Sequence, residues 1–100
     1  MLLAHAVALA EARTYIAALA DLAVSADASL AYERTLLYLD AIHGDDVPTL
    51  DMSGLIDDRT ALHVMAESAV EELLDHGVDA LRIELVLAML DEARELDAPR

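Results

Sequence analysis

Hydrophobic residues recur along this chain at spacings of three and four, the pattern that predicts amphipathic helices. The first stretch predicts a helix from about residue 2 to residue 25. Its expected core-facing positions are Leu2, Leu9, Ala12, Ile16, Leu19 and Ala23. Its expected solvent-facing positions are Glu11, Thr14, Asp21 and Ser25.

A second helix is expected to follow almost at once. Ser25 and Asp27 are both good N-cap residues for it, and Gly44, directly after His43, is a good C-terminal stop. Because the break before this helix is weak, one longer helix with a kink is the alternative. The expected inward positions are Leu30, Leu37, Tyr38 and Ile42. The expected outward positions are Ser29, Glu33 and Asp40.

The segment GDDVPTLDMSGLIDD, residues 44–58, predicts a long loop between helices two and three. It contains a proline, two of the three glycines and many turn-forming residues. Two interpretations stay open: the apolar side chains plug the end of the bundle, or the loop binds a partner. Those side chains are Leu50, Met52, Leu55 and Ile56.

Two further helices complete the predicted fold. The third should begin near Asp57, Asp58 or Thr60 and end at His76-Gly77. Its expected inner stripe is Leu62, Met65, Ala69 and Leu73. Asp79 should cap the fourth, which should reach about Leu96, before Pro99. The sequence therefore predicts an all-α protein, a small four-helix bundle forming one domain over residues 1–100.

The apolar content predicts self-association. Hydrophobic residues make up 57% of the chain, against a usual share of roughly 45–50%. A chain of 100 residues has only a modest core in which to bury them. The run LVLAML, residues 85–90, is apolar all the way round its helix, which predicts burial on all sides. Helix four is therefore the expected seam of a homodimer.

The charge limits the classes of partner. Twenty acidic residues face six arginines and no lysine, for a formal charge of −14. This argues against binding nucleic acid or anionic membranes, because phosphate affinity depends on Lys and Arg. The composition resembles that of proteins from salt-loving archaea, although GC-rich genomes also lose lysine and asparagine. A salt-adapted surface and a basic protein partner both remain open.

The sequence also suggests a location in the cell. The start, MLLAHAVALAEA, lacks the positive region of a signal peptide, and His5 interrupts its apolar run. No uncharged run approaches the roughly 18 residues needed to span a bilayer. With no cysteine there are no disulfides and no thiolate chemistry. We expect a soluble, cytoplasmic protein.

One row of polar residues raises the question of a metal site. His63, Glu67, Glu71 and Asp75 recur every fourth residue. Each step drifts by about 40° around the helix and the row covers roughly 18 Å, so the four cannot meet at one ion. At most one adjacent pair, such as His63 and Glu67, could share a metal, with its other ligands supplied by other helices. The conceivable donors on helix two are Glu33, Asp40 and His43. The expected interpretation is a solvated acidic face.

Other residues suited to chemistry have simpler interpretations. His43 and His76 each precede a glycine at a predicted helix end, where a cationic imidazole favours the helix dipole. His5 is expected at the surface or an interface. No serine lies in a nucleophile motif, and no glycine-rich loop could cradle phosphate.

We therefore predict no catalytic residue, no cofactor and no metal ligand. The leading hypothesis is a non-enzymatic helical interaction module with a salt-adapted acidic surface. The first alternative is an acidic decoy for a basic, nucleic-acid-binding partner. The second is a bundle that binds a metal or a small apolar ligand.

Overall fold

The computed structural model describes residues 3–44 and 58–97, and all regular structure in these ranges is helical. Helices α1 to α4 span Leu3–Leu22, Ala26–His43, Arg59–Glu72 and Ala80–Asp97. A short 3-10 turn, Leu73–His76, continues α3. The predicted all-α, four-helix architecture is confirmed. Apart from Gly44 and Asp58, the predicted loop 44–58 lies outside the described residues, as do Leu2 and Pro99.

Side-chain caps set where the helices begin. Ser25 has an extended backbone and its hydroxyl accepts a hydrogen bond from the Ala28 N–H at 3.1 Å, which separates α1 from α2. The Asp58 carboxylate accepts from the N–H groups of Thr60 and Ala61 at 3.0 and 3.3 Å. The Asp79 carboxylate accepts from the Leu81 N–H at 3.3 Å. The predicted caps of α2, α3 and α4 are thus confirmed, and the single kinked helix is wrong.

Contacts at the two ends of the bundle fix the directions of the helices. His5, early in α1, contacts both His43 at the end of α2 and His76 at the end of the 3-10 turn. At the other end, Asp97 at the end of α4 contacts Val24 just after α1. The start of α3 lies at this second end too, because Arg59 pairs with Asp97. Helices α2 and α3 therefore run in the same direction, antiparallel to α1 and α4.

The four helices pack in a square. In the described part of the chain, α1 packs on α2 and α3, and α4 packs on α2 and α3. The pairs α1–α4 and α2–α3 lie on the diagonals, where no contacts are found between the described residues. Every neighbouring pair is antiparallel. The most extensive packing joins α1 to α3 and α2 to α4.

The core lies between these four helices and is built from aliphatic side chains and alanines. Each fully buried large side chain contributes about 1.5–3 kcal/mol relative to exposure. The largest fully buried aliphatic residues are Leu9, Ile16, Leu19, Leu39, Leu62, Val70, Leu73, Ile83, Val86 and Leu90. Small buried residues between them let the helices approach closely, and include Ala8, Ala12, Ala66, Ala69 and Ala93. The predicted inner faces of α1 and α3 are largely confirmed.

The predicted inner face of α2 is wrong at its two leucines, whereas Tyr38 and Ile42 are half-buried against the core as expected. Leu30 and Leu37 are 45% and 68% exposed, whereas Tyr32 and Leu39 are fully buried. Leucines occur on both sides of this helix, so hydrophobicity alone did not distinguish its faces. Thr35 also faces the core, because its hydroxyl donates to the Ala31 carbonyl within the helix and needs no other partner.

Smaller errors affect the other helices. Thr14, expected outside, is buried, and Met65, expected inside, is exposed. In α4 the run 85–90 is not buried all round within this chain: Val86 and Leu90 are buried, but Leu85 is 47% exposed. No helix in the described ranges is both long and apolar enough to cross a membrane.

Candidate functional site

His63 does not lie on the solvated face predicted for it. It is only 2% exposed, while Glu71 and Asp75, further along the same row, are exposed as expected. The drift of about 40° for each four-residue step explains the difference. The row begins against the core at His63, passes through the half-buried Glu67 and reaches solvent at Glu71.

Three possible ligands meet around this buried imidazole. His63 Nε2 lies 3.2 Å from Glu67 Oε1 on α3 and 3.8 Å from Asp91 Oδ1 on α4. One ligand atom from each of the three residues lies within 4.8 Å of the other two. We call His63, Glu67 and Asp91 the α3–α4 site.

The third possible ligand does not come from α2, the helix on which conceivable donors had been named. Glu33, Asp40 and His43 of α2 were the candidates, but α2 lies diagonally across the bundle from α3. Asp40 instead pairs with Arg13 of α1, with 2.7 Å between the carboxylate and the guanidinium Nε. The third possible ligand is Asp91 of α4. Periodicity along the sequence could not show that α4 packs beside α3.

The imidazole of His63 is held neutral. Burial lowers its pKa below the ordinary value; Glu67 opposes this shift, Arg94 adds to it and Asp91 opposes it. Neither ring nitrogen makes a well-aligned hydrogen bond with any described residue, although Nε2 lies close to both carboxylates. Arg94 reaches Asp91 only at 3.7 Å. An imidazole that favours its neutral form therefore lies beside two carboxylates.

This set of donors suits a divalent transition-metal ion. Zinc accepts His nitrogen and carboxylate oxygen at about 2.0–2.2 Å, which places ligand atoms of a tetrahedral site roughly 3.3–3.6 Å apart. The separations of 3.2 and 3.8 Å need only small side-chain movements to reach that geometry. The side chains of Glu67 and Asp91 are 30% and 54% exposed, so water has access to a fourth position.

A second cluster gathers at the other end of the bundle. His5 Nε2 lies 3.1 Å from His43 Nε2, and the two rings meet edge to face with centroids 5.2 Å apart. The ring of His76 stacks in parallel on that of His5, with centroids 5.4 Å apart. We call these three residues the histidine cluster. His43 and His76 do lie in the last turns of their helices, but nothing in their sequence spacing indicated that they meet His5.

A third feature is an apolar groove on the outer surface, between α2 and α4. Leucine, methionine and alanine side chains line it, with charged groups of both signs at its edges. The lining residues are Asp27, Leu30, Ala31, Arg34, Met89, Glu92 and Leu96. The wrongly assigned leucine of α2 thus contributes to a surface rather than to the core.

Comparison with protein-family models, with curated proteins and with solved structures finds no match for this chain.

Proposed function

We propose that this protein binds a divalent transition-metal ion of the zinc class at the α3–α4 site. The observation that carries the proposal is the convergence of His63, Glu67 and Asp91 on one point, with the imidazole buried and neutral. This favours the metal-binding alternative over a bundle with no ligand. The proposed role is binding, without catalysis.

A metal ion accounts for this arrangement better than an ion pair does. An ion pair needs a protonated imidazole, whereas burial holds His63 neutral. The two carboxylates then face a ring that brings them no positive charge. A divalent cation supplies that charge and takes the free lone pair of the ring at the same time.

Binding would join two helices that otherwise pack sparsely. Packing between α3 and α4 is the least extensive of the four neighbouring helix pairs. Ligands from both helices on one ion would fasten them together, so metal would stabilise the folded state. At a free metal concentration of 100 times Kd the gain is about 2.7 kcal/mol, or about 10–20 °C in Tm for a domain of this size.

The test is a metal titration of chelator-stripped protein by calorimetry and thermal melting, with Zn²⁺ and then Co²⁺. Glu67→Gln and Asp91→Asn remove one ligand charge each at half-exposed positions, so both variants should fold. We expect each to weaken binding by at least tenfold and to reduce the rise in Tm. The Co²⁺ visible spectrum should report nitrogen and oxygen ligation in the parent protein.

Because a chain of charge −14 attracts cations without a specific site, a matched control is essential. Glu71→Gln removes the same charge one step along the same helix, at an exposed position. It should leave binding unchanged. If Glu67→Gln and Asp91→Asn behave like Glu71→Gln, metal binding is diffuse and the proposal is wrong.

A second candidate function is self-association through the groove between α2 and α4, with a second copy of this chain as the occupant. The supporting observation is the apolar lining of the groove, where the exposed Leu30 and Leu96 lie with the half-buried Met89. Two more exposed leucines, Leu37 and Leu85, belong to the same two helices. Arg34 and Glu92 at its edges carry opposite charges, which a two-fold arrangement could pair across the seam.

Molar mass by light scattering tests this second candidate. The parent should be dimeric in strong salt, and Leu30→Gln or Leu96→Gln, each at a residue that lines the groove, should shift it to monomer. Leu3→Gln, at a position 80% exposed elsewhere in the bundle, is the control and should leave the mass unchanged. A parent that is monomeric in both dilute and strong salt would overturn this candidate.

We infer that the acidic surface is an adaptation to salt rather than a decoy. A decoy needs its carboxylates gathered on one face. Exposed acids instead occur on all four helices, among them Glu11, Glu33, Glu71 and Glu92.

A further inference from the structure

We propose that the histidine cluster is a second metal site, whose ligands among the described residues are imidazoles, with His5 and His43 as its paired ligands and His76 as the third. The site would take Zn²⁺, Ni²⁺ or Cu²⁺ and would exclude Mg²⁺ and Ca²⁺, which require oxygen ligands. It is separate from the α3–α4 site, which lies towards the opposite end of the bundle.

The convergence itself is the first argument. The chain has four histidines, and three of them meet at one end of the bundle. They come from the start of α1, the end of α2 and the end of the 3-10 turn, so only the tertiary fold brings them together. Helix capping explains why His43 and His76 each lie at a helix end, but it does not explain why His5 contacts both of them.

The orientation of His43 is the second argument. Its Nδ1 lies 2.9 Å from the Leu39 carbonyl oxygen, which can only accept, so Nδ1 carries the proton and donates. The neutral ring then directs the lone pair of Nε2 towards His5. Metal-binding histidines are commonly held in this way, with one nitrogen donating to a backbone carbonyl and the other left for the ion.

The distances are the third argument. The two Nε2 atoms are 3.1 Å apart, and ligand atoms bonded at about 2.1 Å to one ion stand roughly 3.0–3.4 Å apart. Two imidazoles on one tetrahedral ion have centroids about 5 Å apart by the same geometry. The observed centroid separations from His5 are 5.2 Å to His43 and 5.4 Å to His76. His76 is the weaker third ligand, because its ring now lies parallel to that of His5 and must move to bring a nitrogen to the ion.

An ion at this point would join three elements at one end of the bundle. It would link the beginning of α1 to the end of α2 and to the end of the 3-10 turn. In the metal-free protein the contact between the two Nε2 atoms requires an N–H on one of them, so binding would move that proton to Nδ1 of the same ring, a change of tautomer.

The experiment uses the full chain, stripped with chelator, and Ni²⁺ and Cu²⁺ as probes. Calorimetry should give two ions per chain for the parent. His5→Gln and His43→Gln should each lose one ion, with an affinity loss of at least a hundredfold at that site, and His76→Gln should lose about tenfold. Thermal melting in chelator checks that every variant is folded. His5→Gln is the cleaner variant, since it leaves the contact between His43 and Leu39 intact.

Nuclear magnetic resonance distinguishes this site from the first. Substoichiometric Cu²⁺ should broaden the ring protons of His5, His43 and His76 in Glu67→Gln protein, where the α3–α4 site is disabled. If Ni²⁺ binding is unchanged in His5→Gln and His43→Gln, or if broadening is confined to His63, the histidine cluster is not a metal site. Loss of binding in Glu67→Gln alone would test only the first site.

Discussion

Asp97 fastens one end of the bundle, and its replacement should be costly. It is the last residue of α4 and is only 6% exposed. Its carboxylate accepts a hydrogen bond from the Val24 N–H at 2.7 Å and lies 3.0 Å from the Arg59 guanidinium. One side chain thus joins the end of α4 to the α1–α2 turn and to the start of α3. We predict that Asp97→Ala is among the most destabilising single changes at a polar residue.

The magnitude follows from these two contacts. A hydrogen bond to a charged group is worth about 1.5–3 kcal/mol. The ion pair adds only about 0.5–1 kcal/mol, because the Arg59 side chain is 36% exposed and solvent screens it. Asp97→Ala should therefore cost about 2–4 kcal/mol, or roughly 8–30 °C in Tm. Asp97→Asn keeps an acceptor for the Val24 N–H and should lose about half as much.

Thermal and urea denaturation followed by circular dichroism, at fixed KCl and in chelator, measures this cost. Glu95→Ala, an exposed acid on the same helix, is the control and should change stability by no more than about 0.5 kcal/mol. A spectroscopic check is independent of melting. Burial, and then the charge of Asp97, raises the pKa of Tyr32 to about 12, so Asp97→Asn should lower that pKa in a tyrosinate titration. If Asp97→Ala is as stable as Glu95→Ala, the end contacts contribute nothing and the reasoning fails.

Three further predictions concern pH and salt. The metal-free protein should lose stability as pH falls below about 6.5, because His63 binds a proton more readily in the unfolded chain than in the folded one. Thermal melting from pH 8 to 5.5 should show a smaller fall in Tm for His63→Gln than for the parent. Equal falls would contradict the lowered pKa of His63. Stability should also fall between pH 10 and about 12, because over this range Tyr32 ionises in the unfolded chain but stays protonated in the folded protein. Tyr32→Phe should remove that loss in urea denaturation at alkaline pH. Raising KCl from about 0.1 to 2 M should raise Tm and helicity, since a charge of −14 is then screened; a flat response would refute salt adaptation.

Local signals in the sequence were enough to place the helices. Ser25, Asp58 and Asp79 each cap the helix for which their position made them candidates. Capping depends on residues only two or three positions apart, so it can be predicted from the local sequence alone. The inner faces of α1 and α3 followed from periodicity for the same reason.

The site could not be found in this way, because it depends on which helices are neighbours. Nothing in the sequence around His63 shows whether its side chain faces the core or begins a solvent-exposed row of polar residues. The square packing makes α4, not α2, adjacent to α3, and so brings Asp91 to the site. The error at Leu30 and Leu37 has a related cause, since leucine on both faces of α2 leaves its orientation to the packing of the whole bundle.

The square arrangement also bears on how the chain acquires its structure. Residues 23–25 join α1 to α2 and residues 77–79 join α3 to α4, but the most extensive packing runs between these two hairpins rather than within them. The core lies between the two hairpins, and each hairpin contributes one side of it. We therefore expect that peptides covering residues 1–44 and 58–100 would be largely unstructured apart and would become helical when mixed. We expect the cooperativity of folding to come from the docking of these two halves.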